Sequence, residues 1–202
     1  MIYLASASPR RRELLKLADI HYELLLVRNQ PRPAQARPDV VEIRASNETA
    51  ADYVSRMARE KAELGWESLC WRQLPVHPVL GADTEVILED EVFGKPKNAA
   101  HAQQMLEKLS GKTHEVRTAI CLVTARKIYA AVSVSQVTFP PLSAQHITHY
   151  IASGEPFGKA GGYGLQGKAA CFIQRIEGSP SGIIGLPLFE TAQLLREAGI
   201  SD

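Results

Sequence analysis

The stretch YLASASPRRRELLKLADI, Tyr3 to Ile20, decides how the rest of the chain is read. The apolar run Ile2 to Leu4 predicts a short buried strand. Ser8 followed by Pro9 predicts a helix start, with Ser at the N-cap and Pro at the first helical position. Arg10, Arg11 and Arg12 then fall in the first turn. The N-terminus of a helix carries roughly half a positive charge, so three cations there repel the dipole and one another. A single Arg can point into solvent. Three beside a strand–Ser–Pro turn point to a bound anion, because exposed N–H groups at a strand-to-helix turn bind anions in α/β proteins. Guanidinium forks suit phosphate oxygens. The turn lacks the glycines and the Gly-Lys-Ser/Thr of a Walker loop.

The totals narrow the class. The chain has 202 residues, 45% hydrophobic and 22% charged, which is ordinary for a globular protein and enough for one domain over 1–202, either undivided or in two lobes around a cleft. A formal net charge of +1 gives no electrostatic case for nucleic-acid binding. The three cysteines, Cys70, Cys121 and Cys171, form no Cys-x-x-Cys pair. Cys121 and Cys171 lie in apolar, strand-like runs and read as reduced core thiols, which suits the cytoplasm. The leading apolar stretch is too short for a signal peptide, and no run reaches membrane-spanning length.

Along the chain, His21 to Val27 reads as a strand and the Pro-rich run Arg28 to Asp39 as a loop. Thr49 and Asp52 have capping-box spacing at the start of a helix whose end is expected at Gly65. HPVLGADTEVILEDEVFGKP reads as two strands broken at Gly81-Ala82, followed by a turn at Glu89-Asp90. Asn98 to Leu109 is expected to be helical. Two β-rich runs follow, as a hairpin about Arg126-Lys127. A short helix over SAQHITHYIASGEP, a glycine-dense loop over GKAGGYGLQG and a strand over ACFIQRI come next. The last helix is expected over about Pro187 to Ala198. The order gives an α/β fold with one mixed sheet and flanking helices.

Asp83 follows a buried strand and two small residues, where α/β enzymes place catalytic groups. It can hold a metal, activate water or simply close a turn. Lys95, between Gly94 and Pro96, and Lys159, in a loop too rich in glycine for a packed core, suit phosphate contacts. Gln166 lies between glycines and offers an amide plane that matches a uracil or thymine edge, or points to water. His77, His101, His114, His146 and His149 show no metal-ligand spacing, and Ser8 lacks the GxSxG setting of a hydrolase nucleophile.

Together, LASASPRRRELL, YVSRMAREKA, VLGADTEVIL, FGKP, MLEKLSGKTHEVRTAI, GKAGGYGLQG and GLPLFET occur in order along nearly the whole chain. This set resembles the Maf family, the septum-formation-inhibitor-like nucleotide pyrophosphatases. The resemblance implies a Maf/ITPase-like α/β fold with a deep central cleft. It also implies hydrolysis of a nucleoside triphosphate to the monophosphate and pyrophosphate, with Mg²⁺ or Mn²⁺. Asp83 matches the family's general base and metal ligand. Arg11, Lys95 and Lys159 match its phosphate contacts, and Ser8 lies in the same substrate-binding motif. Arg10, Thr84 and Gln166 match the positions that mark the dTTP/UTP branch; the 7-methyl-GTP branch usually differs at Thr84. Nucleoside triphosphate is the expected partner, in a cytoplasmic enzyme that is a candidate homodimer.

Two departures from the family pattern stand out. The acidic cluster after the second strand is replaced by VRNQPRPAQARPDVVEIRA, in which Glu42 best fits the acidic, metal-binding position. The family's Asp-Lys-Ala-Gly reads Gly158-Lys159-Ala160-Gly161, so a carboxylate beside Lys159 is missing and Glu155 is the nearest substitute. These departures keep a non-catalytic nucleotide-binding regulator open as an alternative.

Overall fold

The computed structural model of the protein describes residues 1–26 and 39–200; the part of the predicted Pro-rich loop before Asp39 lies outside them. The described chain contains seven strands in one mixed sheet, with helices between them. The strands are β1 Ile2–Leu4, β2 Tyr22–Leu24, β3 Val79–Leu88, β4 Glu91–Phe93, β5 Thr113–Val123, β6 Ile128–Thr138 and β7 Arg175–Glu177. The helices are α1 Pro9–Leu17, α2 Ala50–Trp71, α3 Ala99–Leu109, α4 Ala144–Ala152, α5 Pro180–Ile184 and α6 Leu188–Glu197. Strand order is β2-β1-β3-β5-β6-β7, with β4 pairing β3 outside that path. β1 runs parallel to β2 and β3, whereas β3–β4 and β6–β7 are antiparallel.

The residues form two compact units. The first comprises Met1–Asp83, Thr118–Val132 and Gly185–Asp202. Its core includes Leu4, Leu15, Met57, Leu80, Ile120 and Leu122, all fully buried. Burying one such side chain is worth about 1.5–3 kcal/mol, so these few residues outweigh any surface ion pair. The second unit comprises Thr84–Arg117 and Ser133–Ile184 and is built around Leu106, Leu109, Val137, Phe139 and Tyr163.

Helix starts follow the sequence closely. Thr49 accepts from the Asp52 N–H, Asn98 from His101 and Ser143 from His146, as N-caps should. Glu89 and Asp90 both have positive φ, which makes the tight β3–β4 turn.

Three expectations are corrected. Gly65 does not end α2, which continues to Trp71. A Cβ there would meet Val79 at 2.8 Å and Ala5 at 2.9 Å, so this glycine lets the helix lie against the strands. Gly81-Ala82 is likewise no break: β3 is continuous, and a Cβ on Gly81 would lie 2.5 Å from the Ala62 nitrogen and 2.6 Å from the Ala58 oxygen. Both glycines are contact points, not punctuation. Finally, ACFIQRI is a strand only from Arg175; Lys168–Phe172 forms a 3₁₀ turn that leaves Cys171 exposed. Cys121 is buried as expected, and burial pushes its thiol up to about 11.

Candidate active site

In the first unit, β1 and β3 are parallel neighbours, and the Ala5 N–H donates to the Leu80 carbonyl at 2.9 Å. Their C-terminal ends therefore point the same way. β1 leads into α1, whereas Asp83 lies within β3, just past the Val79–Leu80 stretch that pairs with β1. Asp83 is 6% exposed. Its Oδ1 accepts from Lys61 Nζ at 2.5 Å, and the same ammonium lies 3.0 Å from Glu42 Oε1. Lys61 comes from α2 and reaches Asp83 because Ala58, Ala62 and Gly81 carry too little bulk to hold helix and strand apart.

Asp83 Oδ2 is buried and, among the described residues, has no hydrogen-bond partner. A buried carboxylate oxygen without a partner is costly and marks a place where function overrides stability. The Asp83 carboxylate offers hard oxygen donors of the kind Mg²⁺ or Mn²⁺ takes, and its unpartnered oxygen can also accept a proton. Magnesium needs one or two carboxylates, its remaining positions going to water and substrate phosphate. Asp83 and Glu42, gathered on one ammonium, fit that requirement. Among the described residues no group of three or more His, Cys, Asp or Glu gathers for a metal.

At the start of α1, Ser8 occupies the N-cap, but its hydroxyl makes no cap bond. Ser6 takes part instead: its Oγ accepts from the Ser8 N–H at 3.3 Å and from Arg11 Nη1 at 3.0 Å. Arg11 Nε also donates to the Gly185 carbonyl at 2.8 Å. Arg11 therefore ties α1 to the turn before α6 as well as supplying charge. Arg10 is half-buried; desolvation lowers its pKa, and Glu13 opposes that.

Thr84, Lys95, Lys159 and Gln166 belong to the second unit. The Gly161 N–H donates to the Gly94 carbonyl at 3.1 Å, which joins the loop holding Lys95 to the loop holding Lys159 and Gln166. A Cβ on Gly164 would meet the Lys159 stem at 3.0 Å, so the lysine lies along its own loop. Lys159 Nζ donates to the backbone carbonyl of Glu155. The Glu155 carboxylate instead accepts from the Lys168 N–H, at 3.2 and 3.0 Å, and does not replace a carboxylate beside Lys159. Gly158 has φ +75° with open space where a Cβ would stand. An Asp there would have to adopt the left-handed region, which Asp tolerates better than most residues. Lys95 and Gln166 are exposed.

Beneath this loop, His114 Nε2 and Tyr163 Oη lie 2.7 Å apart, and Phe139 packs edge-on to both rings. Burial lowers the His114 pKa to about 4 and raises that of Tyr163.

The sequence reading did not single out Lys61 or Ser6. A Lys inside an amphipathic helix normally reads as a solvated face. The available signal was its small neighbours, Ala58 and Ala62, matched by Gly81-Ala82 on the strand.

An arginine-rich helix start after β1 and a buried carboxylate–ammonium pair on the neighbouring β3 define an α/β protein equipped to handle phosphates. The chain belongs to the family of Maf-like proteins, whose model matches residues 1–198. It is 51% identical over 198 residues to a protein of Aromatoleum aromaticum named dTTP/UTP pyrophosphatase, covering 98% of this chain and 95% of that one. Proteins of the same name from Nitrosomonas europaea and Salmonella typhimurium are 50% and 48% identical, with 99% and 96% of this chain covered and 95% and 91% of theirs. The solved Staphylococcus aureus Ham1 protein aligns over 68% of this chain and 71% of its own, with a TM-score of 0.46 and 16% identity.

Proposed function

We propose that this chain hydrolyses dTTP and UTP to the monophosphate and pyrophosphate. The observation that carries the reading is Asp83: buried, held through Oδ1 by Lys61, with Oδ2 unpartnered. Family membership and relatives at about half identity named dTTP/UTP pyrophosphatase support the substrate class.

Water attacks the α-phosphorus. A new P–O bond forms, the bond to the bridging oxygen breaks, and its electron pair leaves with pyrophosphate. The water's proton goes to Asp83 Oδ2, the oxygen that Lys61 does not occupy. Lys61 fixes the carboxylate's orientation, so the free oxygen does not have to be ordered when substrate binds. Arg11, Lys95 and Lys159 offset charge on the phosphate oxygens. Arg10, Thr84 and Gln166 select the pyrimidine, and Ser8 contributes to substrate binding. A divalent cation on Asp83 and Glu42 would neutralise the pyrophosphate leaving group.

The test is a product assay on a panel of triphosphates with Mg²⁺ or Mn²⁺. The expected result is pyrophosphate from dTTP and UTP, with much weaker action on ATP, GTP and CTP. Orthophosphate as the product overturns the reaction, and preference for 7-methyl-GTP overturns the specificity.

A further inference from the structure

Glu42 lies in a segment without regular structure, and Val41, Glu42 and Ile43 are all exposed. Its ion pair with Lys61 is too exposed, at 35% for the Glu42 side chain, to order such a segment alone. Something else must hold it in place.

Arg56 does so from α2. Its Nε and Nη2 donate to the two carboxylate oxygens of Glu48 at 2.6 and 2.8 Å, a bidentate pair. Nη2 also donates to the Ile43 carbonyl at 3.1 Å, one residue from Glu42. Nη1 reaches Glu60 at 3.2 Å, and the guanidinium lies 5.5 Å over the Tyr53 ring. The Glu48 carboxylate, only 11% exposed, accepts the Ala45 N–H as well, and the Glu48 carbonyl accepts Arg44 Nε at 2.6 Å. The Ile43 N–H donates to the Val41 carbonyl at 2.8 Å. The backbone after Glu42 is thus pinned to α2, a local bond draws Val41 towards Ile43, and Arg56 sits on the helix that also carries Lys61. One rigid helix sets both ends of the Glu42–Lys61 pair.

We propose that Arg56, acting through Glu48 and the Ile43 carbonyl, is a positioning residue that holds Glu42 against Lys61 and so orients Asp83. This rests on the function proposed above. A lysine cannot replace it: one ammonium lacks the planar fork that bonds Glu48 twice and Ile43 at the same time.

The test is a double-mutant cycle of Arg56→Lys and Glu42→Gln, read as kcat and KM for dTTP. Arg56→Lys is expected to lower kcat about tenfold, with KM changed less than about twofold, since it misplaces a group without removing a substrate contact. In the Glu42→Gln background the same change should cost no further activity, because Arg56 acts only through that residue. Glu48→Gln, which loosens the clamp from its other side, should repeat the pattern. Unchanged kcat in Arg56→Lys, or losses that multiply in the double variant, overturns the proposal. Hydrogen exchange reads the same clamp without turnover: amides of residues 41–48 should exchange faster in Arg56→Lys while those of α2 do not. Unchanged exchange in that segment overturns the positioning role. A wild type that leaves dTTP and UTP intact overturns the function reading instead, and exchange then decides the clamp alone.

Discussion

Asp83 in the first unit and His114 in the second are both buried side chains on strands, 6% and 2% exposed. Each makes one strong polar contact, to Lys61 and to Tyr163. Each also leaves one atom without a partner, Oδ2 of the aspartate and Nδ1 of the histidine. The chemistry of those two atoms differs. Burial drives the histidine to its neutral form and the tyrosine with it, so the second unit hides a pair of uncharged groups among aromatic rings. A neutral ring nitrogen without a partner costs less than a charged oxygen in the same position. The first unit keeps a salt-bridged carboxylate and leaves one of its oxygens unsatisfied, which costs far more. The His114–Tyr163 pair is what a packed core does with polar groups it cannot expel. The Asp83 carboxylate is what a fold tolerates where a ligand will supply the missing partner.

That contrast breaks most readily at Lys61. Lys61→Met should lower turnover roughly a hundredfold, because the carboxylate loses its orientation and gains an uncompensated charge. Steady-state kinetics on dTTP measure it; a loss smaller than threefold would make the ammonium a bystander.

Arg11→Ala sharpens the comparison, because Arg11 both carries charge and holds structure. Removing a cation from a helix N-terminus gains a few tenths of a kcal/mol, but its two charge-assisted bonds to Gly185 and Ser6 are worth about 2 kcal/mol. The bonds win. Arg11→Ala should lower kcat/KM about tenfold and also lower the melting midpoint by several degrees. The sequence alone supports a dispensable phosphate ligand, and a melting curve of the apo variant separates the two.

A third effect leaves stability above pH 6.5 untouched, is pH-dependent and belongs to His114. Its pKa falls from 6.5 to about 4 on folding, so the unfolded chain binds the proton more tightly. The stabilisation is complete above 6.5 and is lost as pH falls from 6.5 towards 4, about 3 kcal/mol across that window. Denaturant titrations between these limits should show this slope in the wild type and a flatter one in His114→Gln.

Much of the architecture is legible in the chain because it is written locally. Thr49, Asn98 and Ser143 cap the helices they precede, and Glu89-Asp90 turns where two polar residues separate apolar runs. Glycines mislead where their reason is tertiary. Gly65 and Gly81 read as stops, yet each is the spot where another element comes within 3 Å of the missing Cβ. The site divides the same way. The arginines declare themselves by position after a strand, and Asp83 by the small residues before it, although it lies within β3 and not after a strand. Lys61 and Arg56 do not, since a cation on a long helix finds its partner only when the fold brings in a distant segment, here Glu42 to Glu48 and Asp83.

The most direct measurement is turnover and thermal melting of purified Asp83→Asn beside the wild type. The substitution keeps the shape and removes the charge of the buried carboxylate. Pyrophosphate release from dTTP should fall by more than about a hundredfold, with a cooperative melt close to the wild-type midpoint, since Asn keeps the shape and Lys61 keeps Glu42 as a partner. An Asp83→Asn protein that keeps most of its turnover, or that melts far below the wild type, would contradict the account and make Asp83 a structural residue of β3.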